Sequence, residues 1–153
     1  MRHVILFIIS IATFIFSIEY AKRTLTIDGE YYASLHFIGG NITNIHIVTN
    51  MHKSDFISHS YLKSPSLNDT AIFTSTGSFT SDDSDGNYKI TYIMKENTPP
   101  KILDPNNAKF YLSMVGRTGV EIEEEIRMIY HDRAISIFDM NRNGNIIMYS
   151  KKH

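Results

Sequence analysis

The chain has no cysteine and no tryptophan in its 153 residues. Without cysteine there is no disulfide scaffold, no thiolate metal site and no cysteine nucleophile. Proline is scarce, at four residues. The clear breaks it supplies therefore fall at Pro65, Pro99-Pro100 and Pro105. Charge of one sign is also missing: fifteen basic residues face sixteen acidic ones, for a formal net charge of −1. That balance argues against bulk electrostatic attachment to nucleic acid. No G-x-S-x-G, P-loop or G-x-G-x-x-G segment occurs, so no familiar catalytic or nucleotide-binding motif marks an enzyme. What is present is apolar and aromatic. Hydrophobic residues make up 42% and aromatics 12%, enough to exclude a wholly disordered chain and to fill one ordinary domain.

The longest apolar run is at the N-terminus. Met1-Arg2-His3 precedes Val4 to Ile18, which carries no charge. A basic start before a short apolar stretch is the layout of a secretory signal peptide. The run is short for a spanning helix, which needs about 20 apolar residues. The expectation is a signal peptide over 1–20, cut near Ser17 or Ala21, and a single domain over 21–153. An uncleaved anchor is the alternative. The mature chain would be extracellular and free of the membrane. In that compartment Asn41-Ile42-Thr43 and Asn68-Asp69-Thr70 are acceptor sequons for N-glycosylation.

Beyond the leader, short β-prone segments alternate with turns. Gly29 to Phe37, Ile42 to Thr49, Asp55 to Leu62, Thr70 to Phe79 and Tyr88 to Met94 read as strands. Lys101 to Leu103 reads as a short edge strand. Ala108 to Val115 reads as another, with Phe110, Leu112 and Met114 on one face and Tyr111, Ser113 and Val115 on the other. Thr118-Gly119-Val120-Glu121 has the form of a capping box. Ile122, Ile126 and Ile129 follow at helical spacing, and the glutamates from Glu121 to Glu125 crowd the first turns, where a helix dipole favours anions. This predicts an amphipathic helix from Gly119 to His131. Ala134 to Met140 and Asn145 to Tyr149, joined through Asn143-Gly144, read as a closing hairpin. Many strands and one late helix, with no βαβ alternation, imply a mainly β fold. The expected class is an antiparallel up-and-down β-barrel, closed or incomplete, with one C-terminal α-helix. A β-sandwich without a cavity, binding another protein or a glycan, is the competing architecture.

Metal signals are weak. Asp139, Asn141, Asn143 and Gly144 match part of an EF-hand loop, but Ser150 stands where the bidentate carboxylate is needed. A hairpin turn explains them better. Histidines 36, 46, 52, 59 and 131 show no paired ligand spacing. Neither a metal nor a cofactor is expected.

Three segments carry a resemblance. Ile27-Asp28-Gly29-Glu30-Tyr31-Tyr32 is similar to the G-x-W motif of a first barrel strand, with Tyr31 in the tryptophan position. Gly86-Asn87-Tyr88-Lys89-Ile90-Thr91-Tyr92, with Asn97-Thr98 after it, is similar to a mid-barrel strand. Met114-Val115-Gly116-Arg117, before an acidic segment, is similar to a last strand with its Gly-Arg, and Ile137 to Met140 to the segment after the helix. In this order they resemble the lipocalins, in particular the small odorant- and pheromone-carrying group. The interval from Asp104 to Arg117 is shorter than the family's by a strand and its turn. The resemblance implies a secreted carrier, not an enzyme, holding a small hydrophobic ligand inside a barrel. It implies that Ile90, Tyr92, Phe110, Leu112 and Met114 line the ligand site. It also implies that Arg117 stacks over Tyr31 at the barrel floor, a cation–π contact of about 0.5–2 kcal/mol.

Overall fold

The computed structural model describes residues 7, 9–17, 27–37, 43–81, 86–140 and 145–152. Residues 9–17 form a helix, α1. Among the described residues no helix is long and apolar enough to cross a membrane. The cleavage region, Asn41 and the acidic run from Asp82 to Asp85 lie outside them, as do Asn141, Asn143 and Gly144 of the EF-hand-like segment.

Eight strands follow: β1 Gly29–Phe37, β2 Thr43–His52, β3 Asp55–Lys63, β4 Ala71–Ser81, β5 Asn87–Thr98, β6 Glu121–His131, β7 Ile135–Met140 and β8 Asn145–Lys151. Each pairs antiparallel with the next, and β8 returns to β1 through Tyr31 opposite Lys151 and Tyr32 opposite Ser150, closing the barrel. The Lys152 amide donates to the Glu30 carbonyl at 2.9 Å just beyond this seam. Closure removes both sheet edges. It also overturns the sandwich alternative. Asp139 pairs with Ile146 and Met140 with Asn145 as hairpin strands.

Two segments exchange their expected roles. Glu121–His131 is the strand β6, not a C-terminal helix. A spacing of four residues is one helical turn but also two strand repeats, so Ile122 and Ile126 satisfy both patterns. The β-branched isoleucines favour the strand, and β6 gains ladders on both sides, with β5 and with β7. Its outward row is Glu121, Glu123 and Glu125, and Lys89 on β5 pairs with Glu123 at 2.6 Å. The hydroxyl of Thr118 donates to the Val115 carbonyl at 2.8 Å, closing the preceding helix where a cap for a new one was expected.

That preceding helix is α2, Lys109–Val115, in place of the strand read from alternation there. Asp104 orders the turn before it: its carboxylate accepts from the Asn106 amide at 3.1 Å and the Asn107 side chain at 2.6 Å. Along α2, Phe110 and Met114 are one turn apart, and Ala108, Tyr111 and Val115 form a neighbouring stripe. The expected edge strand is reduced to an isolated bridge between Leu67 and Ile102.

Up-and-down order gives the barrel two ends. The entry end, where the chain enters the barrel, holds the start of β1 and the turns after β2 and β6. The helix end holds α2 and the connection from β3 to β4. The larger of two buried clusters lies at the helix end, where Ile45, Leu62, Ala71, Phe73 and Met94 meet Ala108 and Tyr111. Phe73 and Leu62 are fully buried and contribute about 1.5–3 kcal/mol each through transfer from water. At the other end Tyr31, Ile126 and Phe138 make a second cluster.

Candidate functional site: a cavity inside the barrel

Strand alternation decides which side chains reach the interior. On β5 these are Tyr88, Ile90, Tyr92 and Met94. On β6 they are Ile122, Glu124 and Ile126, as shown by Ile90 standing opposite Glu124 and Tyr92 opposite Ile122. On β8 they include Tyr149 and Lys151. Two hollows with shared wall residues lie inside the barrel. One, near the helix end, has a volume of about 240 Å³ and is walled by Leu35, Ile45, Ile47, Met94, Phe110 and Met114. The other, near the entry end, is about 90 Å³ and is walled chiefly by Tyr31, Met51, Phe79, Ile126, Phe138 and Tyr149. Phe56, Ser58, Ile90, Met140 and Tyr149 belong to both walls.

The smaller hollow is bounded by interlocked rings. Phe79 and Tyr88 stack with centroids 4.4 Å apart, and Phe138 meets Phe79 and Tyr149 edge-on at 6.0 Å in each case. Burial pushes the Tyr149 hydroxyl up to about 12, with the nearby Tyr92 adding to it, so Tyr149 stays a neutral phenol. Small hydroxyls satisfy one another within the wall: Thr49 and Ser58 are hydrogen-bonded at 2.9 Å. No buried side-chain polar atom among the described residues lacks a partner.

One charged cluster interrupts the apolar lining of the larger hollow. Arg117, on the turn after α2, donates from one terminal nitrogen to the Glu124 carboxylate and to the Tyr92 hydroxyl, the latter at 3.2 Å. The Glu124 side chain is 16% exposed and that of Arg117 45%. The Arg117 guanidinium is held above its ordinary range, chiefly by the hydrogen bond to Glu124. Burial pushes the Tyr92 hydroxyl up to about 12, reinforced by the adjacent Glu124 carboxylate. The larger hollow therefore presents a mainly apolar wall that also holds Ser58, Ser60 and Ser75, with its charge confined to one compact cluster.

Helix α2 forms part of this wall and is pinned by its buried tyrosine. The Tyr111 hydroxyl donates to Glu96 at 2.7 Å, and its ring lies 6.1 Å from Phe73. Desolvation, aided by Glu96, pushes that hydroxyl up to about 12.

Of the five expected lining residues, the structure brings Ile90, Tyr92, Phe110 and Met114 together around the larger hollow. Leu112 does not join them. It is 44% exposed, because a helix turns it away from Phe110 and Met114 where a strand would have aligned all three. The expected Tyr31–Arg117 stack does not form. Tyr31 lines the entry-end hollow and Arg117 the helix-end hollow. The cation over the Tyr31 ring is Lys151, 5.6 Å from the centroid, which the β1–β8 seam places directly opposite. Of the two sequons, Asn68 is on the surface, its side-chain oxygen accepting from the Lys101 amide at 2.6 Å.

Sequence reasoning missed Glu124, which it placed among the helix-start acids. Its signal is an acid inside an otherwise apolar period-two row, between Ile122 and Ile126. Leu35, Ile45, Ile47 and Tyr149 were also missed. They were legible as the alternate faces of β1, β2 and β8, but nothing local says which face points inward. Set against models of known protein families and against curated proteins, the chain matches none.

Proposed function

We propose that this protein is a carrier, not an enzyme, that holds one small hydrophobic molecule inside the barrel. The observation that carries this reading is the 240 Å³ hollow inside the barrel, lined in part by Leu35, Ile45, Ile47, Met94, Phe110 and Met114. An engineered apolar cavity of about 150 Å³ takes up benzene. This hollow and the smaller one that shares its wall suit a guest of roughly ten to seventeen non-hydrogen atoms. Binding is driven by desolvation of the guest, and the Arg117–Glu124–Tyr92 point orients it.

The basic, apolar N-terminus supports export, with residues 1–20 removed, an extracellular location and glycosylation at Asn41 and Asn68. The closed eight-strand barrel and the ordered motifs on β1 and β5 support a place among divergent lipocalins of the odorant- or pheromone-carrying kind.

The test is titration with N-phenylnaphthylamine, whose fluorescence rises in an apolar cavity. Saturable uptake, displacement by medium-chain ketones and alcohols, and a rise in melting temperature with ligand concentration are expected. No uptake of the probe, with a melting temperature indifferent to these guests, overturns the proposal.

A further inference from the structure

The charges facing the larger hollow cancel. Arg117 brings one positive charge, Glu124 brings one negative charge, and Tyr92 is held neutral beside them. Arg117 joins the other two through a single terminal nitrogen. A guanidinium carries five N–H donors, so these two hydrogen bonds use the hydrogens of that nitrogen and leave those on Nη1 and Nε. The register, and not a flexible loop, sets Glu124 in the wall: it stands opposite Ile90, with Tyr92 opposite Ile122 on the adjacent pair.

A guest entering this hollow meets an ion pair that is already made. A carboxylate guest would have to share the guanidinium with Glu124, bringing two anions to one cation. An ammonium guest would have to share Glu124 with Arg117, bringing two cations together. Either also gives up part of its hydration against the apolar wall, with no unpaired charge there to replace it. A neutral guest with a carbonyl or hydroxyl oxygen accepts from a further guanidinium N–H and disturbs nothing.

We infer that Glu124 sets the charge selectivity of the cavity: by neutralising Arg117 it admits neutral, oxygen-bearing apolar guests (ketones, esters, alcohols) and turns away carboxylates and amines of the same length. The inference rests on the carrier reading and names its ligand class. Glu124 is the specificity-determining residue, and Arg117 is the donor.

The experiment displaces N-phenylnaphthylamine from the native protein with decanone, decanoate and decylamine, matched in chain length. Decanone is expected to displace it at a concentration lower by about tenfold or more than either charged guest. Glu124→Gln keeps the shape and a hydrogen-bonding group but unpairs Arg117. It should tighten decanoate by about tenfold relative to decanone measured on the same variant. Arg117→Gln should favour decylamine in the same way. Decanoate or decylamine binding the native protein as tightly as decanone overturns the inference and leaves the carrier reading standing. So does a Glu124→Gln variant that takes up the probe but shows no gain for decanoate. If neither the probe nor any of the three guests binds, both readings fall together. The comparison among native-protein guests decides the matter even where a variant does not fold.

Discussion

Alanine substitutions along α2 separate the helical wall from the strand that alternation suggested there. Phe110 and Met114 face the larger hollow, while Leu112 on the same seven-residue helix is 44% exposed. Met114→Ala removes three heavy atoms, and about half of the lost surface would face a guest. At about 0.8 kcal/mol per buried methylene-sized group, that is about 1 kcal/mol, or roughly fivefold in probe affinity. Phe110→Ala removes a ring and should cost about 1.5–2 kcal/mol, roughly ten- to thirtyfold. Leu112→Ala should stay within about 0.5 kcal/mol, or roughly twofold. The assay is fluorescence titration with N-phenylnaphthylamine, with urea unfolding of each variant to show that the barrel remains intact. A Leu112→Ala loss equal to that of Met114→Ala would refute the reasoning, since it would mean that all three side chains share one face.

Phe73 is fully buried beneath Tyr111, so Phe73→Ala should cost about 3–5 kcal/mol in urea unfolding; a loss under about 1 kcal/mol would deny that the core sits there. At Gly77 a Cβ would lie 2.1 Å from the Thr91 carbonyl oxygen and 2.6 Å from Tyr92 Cβ. Gly77→Ala should therefore cost about 2 kcal/mol or more, because β4 and β5 must separate, and an unchanged urea midpoint counts against this close approach. His131, hydrogen-bonded to Ser136 at 2.8 Å, has its proton affinity lowered by burial and by Lys151, with Asp132 opposing. A lowered folded value means that the unfolded chain takes up the proton first. This contribution to stability is present above the ordinary value of 6.5 and falls as pH drops through it. Melting curves between about pH 5 and pH 8 should be flatter for His131→Gln than for the native chain; identical slopes would remove His131 as the titrating group.

Much of the barrel was readable locally. The first five strands appear where aromatic and β-branched residues alternate between turns, and the tail hairpin where Asn143-Gly144 separates two apolar runs. Ile90 and Tyr92 were readable as one face of β5. The errors share a cause. In Ala108–Val115 the apolar residues fit a period of two and a turn of three to four equally well, because the run is too short for one pattern to outscore the other. In Glu121–His131 a four-residue spacing belongs to both periods. Only neighbours break such ties, and for β6 the neighbours are β5 and β7, each supplying a ladder that no isolated helix could match. Glu124 was hidden for the same reason: its inward direction follows from the strand assignment, not from its own chemistry.

By itself the sequence determined the β-rich character of the chain, the positions of most turns, the apolar N-terminal run and the absence of cysteine chemistry. These are short-range properties, written in residues that touch along the chain. Tertiary structure alone decided that the eighth strand meets the first, that α2 covers one end, that Lys151 lies over Tyr31, and that Arg117, Glu124 and Tyr92 converge on a hollow. Each of these joins residues distant in sequence, and their meeting depends on the register and curvature of a closed sheet.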